Sequence, residues 1–320
     1  MRYVELAGKR VSVIGLGTWQ FGSPEWGFGT DFGESEAKSV LTRALDLGMN
    51  FVDTAEVYGR GKSEEIIGRG LGDRRGEAYI ATKVLPVFPT AARVVSAARG
   101  SLARLGVDTI DLYQVHWPNP VVPVPFTMEG MKRLLRDGAI GEVGVSNFPL
   151  WLWRWADQSL GRPVVTNQVQ FSLVRRMPER RLLPWAQRES RYVIAYSPLA
   201  QGVLSGKYTA DNAPGGVRRA NSLFTRSNLE RLQPVLDALR EVAAAHDATP
   251  SQIALAWTVH RPHVIAIPGA KSVAQLESNA AAGDIELKED EYDALTRAAD
   301  RFHKDRVGAV PDLARRLVKR

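Results

Sequence analysis

The chain contains no cysteine, and that single absence removes disulfides, thiolate nucleophiles and cysteine-ligated metals together. Long apolar runs are missing too, and no stretch approaches the roughly 20 residues that a membrane helix needs. The start, Met1-Arg2-Tyr3-Val4-Glu5-Leu6, lacks the apolar core of a signal peptide, so a cytoplasmic location and no membrane partner are expected. The three-glycine fingerprint of a Rossmann nucleotide fold is also absent, because Gly15-Leu16-Gly17 runs on into Thr18-Trp19-Gln20. No metal site is expected: His260-Arg261-Pro262-His263 has no supporting carboxylate, and His246 and His303 stand alone. Low-complexity segments are missing as well.

What is present is ordinary for a folded protein, with 44% hydrophobic and 24% charged residues. The net charge of +7, from 42 basic and 35 acidic residues, raises the question of nucleic acid. The basic residues are scattered, however, and their densest cluster, Arg315-Arg316-Leu317-Val318-Lys319-Arg320, is at the tail. No recognition motif accompanies the charge, so nucleic acid is not an expected partner. A solvated surface and an anionic small molecule account for it equally well.

Short β-like runs alternate with helical spacing, the pattern of βα units around a parallel sheet. Strand-like runs fall near residues 13, 51, 80 and 113, then at 142–145, 164–167, 192–195 and 264–267. Ala37, Val40, Leu41, Ala44 and Leu45 carry helical spacing, stopped by Gly48; similar patterns stop at Gly106 and Gly138. Eight strands with intervening helices predict an α/β fold, a (β/α)8 TIM barrel, as one domain over residues 1–320. An N-terminal β-hairpin is predicted by pairing Tyr3–Leu6 with Val11–Ile14 across Gly8-Lys9. The longest connection, from Ser197 to about Leu229, is of a length usually reserved for functional or disordered loops.

Four ionisable residues stand at or just after successive strand ends: Asp53, Tyr58, Lys83 and His116. Taken singly, each has an ordinary reading as a cap, loop or surface residue. Taken in order, they predict one shared site at the C-terminal mouth of the barrel. A free phenol is a poor acid at neutral pH, and an adjacent ammonium lowers its pKa while a carboxylate holds that ammonium. Lys83 and Asp53 fit those parts, and a neutral His116 can donate to a substrate carbonyl. A rival partner for Tyr58 is Lys62, since Tyr58 to Lys62 spells the Tyr-x-x-x-Lys pattern of short-chain dehydrogenases. That chemistry needs one continuous helix, which Gly59 and Gly61 disfavour.

Around these residues the chain resembles the aldo-keto reductase superfamily. The matching stretches include Gly15-Leu16-Gly17-Thr18-Trp19, Phe51-Val52-Asp53-Thr54-Ala55-Glu56-Val57-Tyr58-Gly59, Thr82-Lys83 and Asp111 to Pro118. Gly144-Val145-Ser146-Asn147, Asn167-Gln168-Val169-Gln170, Tyr196-Ser197-Pro198-Leu199-Ala200 and Ile267-Pro268-Gly269-Ala270-Lys271-Ser272 complete the series. It is similar to the bacterial branch with a long loop after strand seven.

The resemblance implies NAD(P)H-dependent reduction of an aldehyde or ketone, with the nicotinamide cofactor extended across the barrel mouth. It makes Tyr58 the proton donor, Lys83 and Asp53 its tuning pair, and His116 the group that orients the carbonyl. Ser146, Asn147 and Gln168 would hold the carboxamide, and Tyr196 would stack on the nicotinamide ring. Thr18, Trp19, Asp53, Ser197, Pro198, Leu199 and Gly269 would also meet the cofactor. Lys271 and Ser272 would meet the adenosine 2′-phosphate, with Gln275 and Asn279 nearby. Many members carry an arginine near Gln275; Lys271 tilts the expectation to NADPH, with NADH possible. Ser272 and Gln275 also spell a helix capping box, as do Thr249 and Gln252. Trp19, Trp117 and Phe88 are expected as an apolar wall for a small-molecule carbonyl substrate. Two other readings remain open: a non-catalytic nicotinamide-sensing subunit, and an aldolase with Lys83 as Schiff base.

Overall fold

A computed structural model describes residues 1–215, 218 and 220–305. The basic cluster at the C-terminus lies outside the described residues. A hairpin of β1 (Tyr3–Leu6) and β2 (Lys9–Ser12) opens the chain. Eight parallel strands follow: β3 (Leu16–Gly17), β4 (Phe51–Asp53), β5 (Tyr79–Val84), β6 (Ile110–Val115), β7 (Ile140–Ser146), β8 (Thr166–Gln170), β9 (Tyr192–Tyr196) and β10 (Val264–Ile267). They pair in chain order, and the two edges meet through Gly15 N donating to Ala266 O and Gly17 N to Pro268 O. The result is the predicted (β/α)8 barrel.

Helices cover the outside: α1 (Glu34–Asp46), α2 (Lys62–Leu71), α3 (Ala91–Leu105), α4 (Val124–Arg136), α5 (Leu150–Leu160), α6 (Leu182–Arg188), α7 (Arg226–Ala245) and α9 (Val273–Ala281). Two more, α8 (Pro250–Thr258) and α10 (Glu289–Asp300), add to that ring. The glycine stops hold, since Gly48, Gly106 and Gly138 all take positive φ just past the ends of α1, α3 and α4. Among the described residues no helix is long and apolar enough to cross a membrane.

The hairpin differs from its sequence-based register. Its turn is Ala7-Gly8, both at positive φ, and Tyr3 pairs with Ser12 instead of Ile14. Two positive φ values in a two-residue loop match the strand twist, and that backbone preference sets the register. Val13 and Ile14 are thereby freed to meet the barrel seam, where Ile14 bridges Ala266. The first barrel strand accordingly starts at Leu16, later than the run near residue 13.

Alternation along the strands sorts side chains into two separate cores. Outward residues such as Val52, Ile80, Tyr113, Val143 and Val193 pack with the helices. Inward residues Phe51, Tyr79, Ala81, Leu112, Tyr192, Ile194, Ile265 and Ile267 form the barrel interior. Leu6 and Val11 of the hairpin belong to that inner cluster, so the hairpin plugs the N-terminal end. Two positions further along, the inward series turns polar: Asp53, Lys83, Gln114, Ser146 and Gln168, all buried. The same pleat that fills the barrel floor with apolar groups thus delivers polar ones to its mouth.

Closure at the seam is sterically tight. A Cβ on Gly17 would lie 2.7 Å from the Ile267 carbonyl oxygen across the β3–β10 junction. Gly17→Ala is expected to destabilise the fold by about 1–3 kcal/mol, because neither backbone can yield without opening the seam. Gly76→Ala, where a Cβ meets nothing within 4 Å, is the control and should stay within about 0.5 kcal/mol. Denaturant unfolding of both variants checks this; equal stability would show that the seam is slack.

Candidate active site

Each predicted side chain reaches the mouth by its own strand. Asp53 ends β4, Lys83 is the penultimate residue of β5, and His116 follows β6. Tyr58 sits in a short 3-10 turn after β4. Gly59, Arg60 and Gly61 all have positive φ, so the backbone reverses before α2 begins at Lys62. Tyr58 and Lys62 therefore share no helix. Lys62 instead faces Glu34 at 3.4 Å and Glu65 at 3.5 Å on the surface.

Lys83 is the hub of the constellation. Its Nζ donates to Asp53 Oδ1 at 2.6 Å, to the Thr54 carbonyl at 2.7 Å and to Tyr58 Oη at 3.3 Å. Asp53 Oδ2 accepts from Gln168 Nε2 at 2.7 Å and from Gln114 Nε2 at 3.3 Å. Lys83 and Asp53 are 0% and 1% exposed, so this is an ion pair out of water. Burial pulls the Lys83 ammonium down, but the facing Asp53 carboxylate and Tyr58 outweigh it, and its net shift is upward. Burial also pushes the Asp53 carboxyl up, opposed by Lys83 and the two amides.

Tyr58 departs from the sequence-based expectation. Burial raises its phenol further than the Lys83 charge lowers it, so the net shift is upward. The phenol is a held proton, not a phenolate. His116 stands edge-on to it, with ring centroids 5.8 Å apart. Burial first, and then the Lys83 charge, bring the His116 pKa down to about 3, so the imidazole is neutral at physiological pH. Its Nδ1 is buried without a hydrogen-bond partner.

Around this centre lies a cleft of about 870 Å³. Next along the rim, Ser146 Oγ donates to the Gln168 carbonyl at 2.9 Å. Asn147, in a left-handed conformation (φ 61°), donates to Ser146 Oγ at 2.9 Å and accepts from Tyr196 Oη at 3.0 Å. Thr18, Trp19, Ser197, Pro198, Leu199, Gly269, Lys271, Gln275 and Asn279 line the same cleft. Of the predicted residues, Lys83 and Ser272 do not line it: Lys83 is fully buried beside Tyr58, and Ser272 caps α9. Lys271 Nζ reaches the exposed Asp31 at 3.4 Å and lies 5.5 Å over the Phe32 ring.

Two further expectations are corrected. Ser272 Oγ accepts from Gln275 N, but the Gln275 side chain turns to Lys271 N at 2.9 Å, leaving half a capping box. Thr249 and Gln252 form the complete one. Phe88 is 70% exposed and does not line the cleft; Trp26 does, packed against Trp19 with centroids 4.9 Å apart. Trp26, Ser23, Lys207 and Arg218 are cleft residues that no motif announced. Arg218, in the long loop between β9 and α7, lies 5.0 Å over the Trp26 ring. The length of that loop was the one available signal.

Ser146, Asn147 and Gln168 offer donors and acceptors near the Tyr196 ring, and Lys271 brings an ammonium to the same cleft. The aldo/keto reductase family model matches residues 13–300. A Mycobacterium tuberculosis protein named as an uncharacterized oxidoreductase, Rv2298, is 52% identical, covering 100% of both chains. The solved structure of a thermostable aldo-keto reductase, Tm1743, is 34% identical, with a TM-score of 0.78 over 93% of this chain and 100% of that one. A Klebsiella pneumoniae aldo/keto reductase solved with NADP and acetate is 32% identical, with a TM-score of 0.73 over 91% and 93% of the two chains.

The depressed His116 pKa has a consequence for stability. The unfolded imidazole takes a proton near pH 6.5, while the folded one waits until about pH 3. Between those values the unfolded state binds more protons, so stability rises with pH and is lost as pH falls. From pH 7 to pH 5 the loss from this group should be roughly 1–2 kcal/mol. His116→Gln should flatten that slope in denaturant unfolding; an unchanged slope would show that the folded imidazole takes its proton at the same pH as the unfolded one.

Proposed function

The chain belongs to the aldo/keto reductase family, and on that premise we propose that it reduces an aldehyde or ketone to an alcohol with NADPH, NADH being the weaker substitute. The observation that carries this reading is Lys83 Nζ held between Asp53 Oδ1 and Tyr58 Oη at the barrel mouth. Tyr58 keeps its proton until a substrate oxygen becomes basic enough to take it. Lys83 then stabilises the phenolate left behind, and Asp53 keeps Lys83 charged and aimed. His116, neutral and edge-on to Tyr58, orients the carbonyl oxygen without adding a second positive charge. The whole site belongs to one barrel unit.

When bound, the reduced nicotinamide supplies the hydride. Ser146, Asn147 and Gln168 hold its carboxamide in this reading, and Tyr196 stacks on the ring. Thr18, Trp19, Ser197, Pro198, Leu199 and Gly269 line its path, and Lys271 would meet the 2′-phosphate, Ser272 standing next to it as the cap of α9 outside the cleft lining. Gln275 and Asn279 stand beside them, Gln275 spending its amide oxygen on Lys271 N. The NADP complex of the Klebsiella relative supports this choice of cofactor. Trp19, Trp26 and Trp117 offer a substrate apolar aromatic surface.

Tyr58→Phe should lower turnover by roughly 10²–10⁴-fold with cofactor affinity nearly unchanged. A substrate panel followed by NADPH absorbance measures it, with Lys62→Met as the control; greater damage from Lys62→Met would overturn the assignment of Tyr58 and Lys83. For cofactor choice, Lys271→Ala should weaken NADPH by about 1–3 kcal/mol, the range for a lost charged hydrogen bond, and leave NADH nearly alone. Fluorescence titration with both cofactors decides this, and equal losses would remove Lys271 from 2′-phosphate recognition.

A further inference from the structure

Gln114 on β6 has no part in the reaction proposed above, yet it is fully buried and touches its charged centre. Its Nε2 donates to Asp53 Oδ2 at 3.3 Å, beside the 2.7 Å bond from Gln168 Nε2. Its other end, Oε1, is buried with no hydrogen-bond partner. An unmatched buried acceptor is destabilising, whereas an apolar side chain of similar shape carries no such cost. Packing alone would therefore favour leucine here. What glutamine adds is an N–H directed at Asp53.

We propose that Gln114 is a positioning residue whose amide keeps the Asp53 carboxylate ionised and turned toward Lys83, and so keeps Lys83 charged beside Tyr58. The catalytic consequence rests on the proposed carbonyl reduction; the contact itself does not. Gln168 is assigned a second duty there, toward the carboxamide, and lines the cleft. Gln114 does not line it and donates to Asp53 alone. The titratable groups around Asp53 are Lys83 on β5, Tyr58 in the turn after β4 and His116 after β6; of these three only Lys83 is charged at neutral pH. With burial opposing ionisation of Asp53, each hydrogen bond to the carboxylate counts.

The test is the titration of the Asp53 carboxyl, read by carbon-13 NMR in ligand-free protein and assigned with Asp53→Asn. In Gln114→Leu its midpoint should rise by roughly one pH unit, the equivalent of one hydrogen bond to a charged group. Gln114→Glu should raise it further, because two adjacent carboxyls cannot both ionise easily. The acid limb of carbonyl reduction should move up by the same roughly one pH unit, so that kcat falls roughly ten-fold at a given pH on that limb, with NADPH affinity little changed. Gln114→Met gives the same readout if leucine disturbs the barrel. An Asp53 midpoint that stays put overturns the proposal, whether or not kcat falls, and makes Gln114 a packing residue. If the wild-type protein reduces no carbonyl, the proposed function fails, while the NMR titration still decides the role of Gln114.

Discussion

Two opposite charges, Lys83 and Asp53, are held out of water at the mouth of the barrel, and much of the structure follows from that. Burying either charge alone would cost several kcal/mol. The pair is tolerable because both charges have further hydrogen bonds: Lys83 to Thr54 O and Tyr58 Oη, and Asp53 from Gln168 and Gln114. The pair and its partners come from β4, β5, β6, β8 and the turn after β4. Satisfying the pair therefore requires a closed barrel, since an open sheet could not bring β8 back to face β4.

The polarity gradient inside the barrel is the counterpart of that requirement. Apolar rings and branched chains fill the floor, and the hairpin side chains Leu6 and Val11 seal it. Water is excluded from below, and the polar groups above are left to pair with one another. At the mouth, burial raises the Tyr58 phenol, and burial with the Lys83 charge depresses the His116 imidazole. Both groups thus rest uncharged next to a charged lysine, the arrangement that the proposed proton transfer calls for.

Much of this was legible in the linear sequence. Strands and glycine stops repeat with a period set by backbone geometry, and Asp53, Lys83 and His116 fall at strand ends that can be counted. Tyr58 could be separated from Lys62 because Gly59 and Gly61 flag a backbone reversal. Other features were not legible. The hairpin register depends on which two residues take positive φ, and Ala7 gave no hint that it would be one. The Gln275 amide had two possible partners within one turn, Lys271 N and Ser272 N, and only the local geometry chose between them.

Gln114 and Trp26 show where the sequence stops. Glutamine in a strand and tryptophan in a one-turn 3-10 helix carry no periodic signature, and their partners are 61 and 192 residues away, at Asp53 and Arg218. By itself the sequence determined the order of strands and helices in the barrel and the strand ends at which Asp53, Lys83 and His116 fall, because those follow from local backbone preference. Only the tertiary structure decided which inward groups touch, and hence which hold a proton and which are charged. Ionisation depends on burial and on neighbours brought together across the barrel, and neither is a property of any single strand.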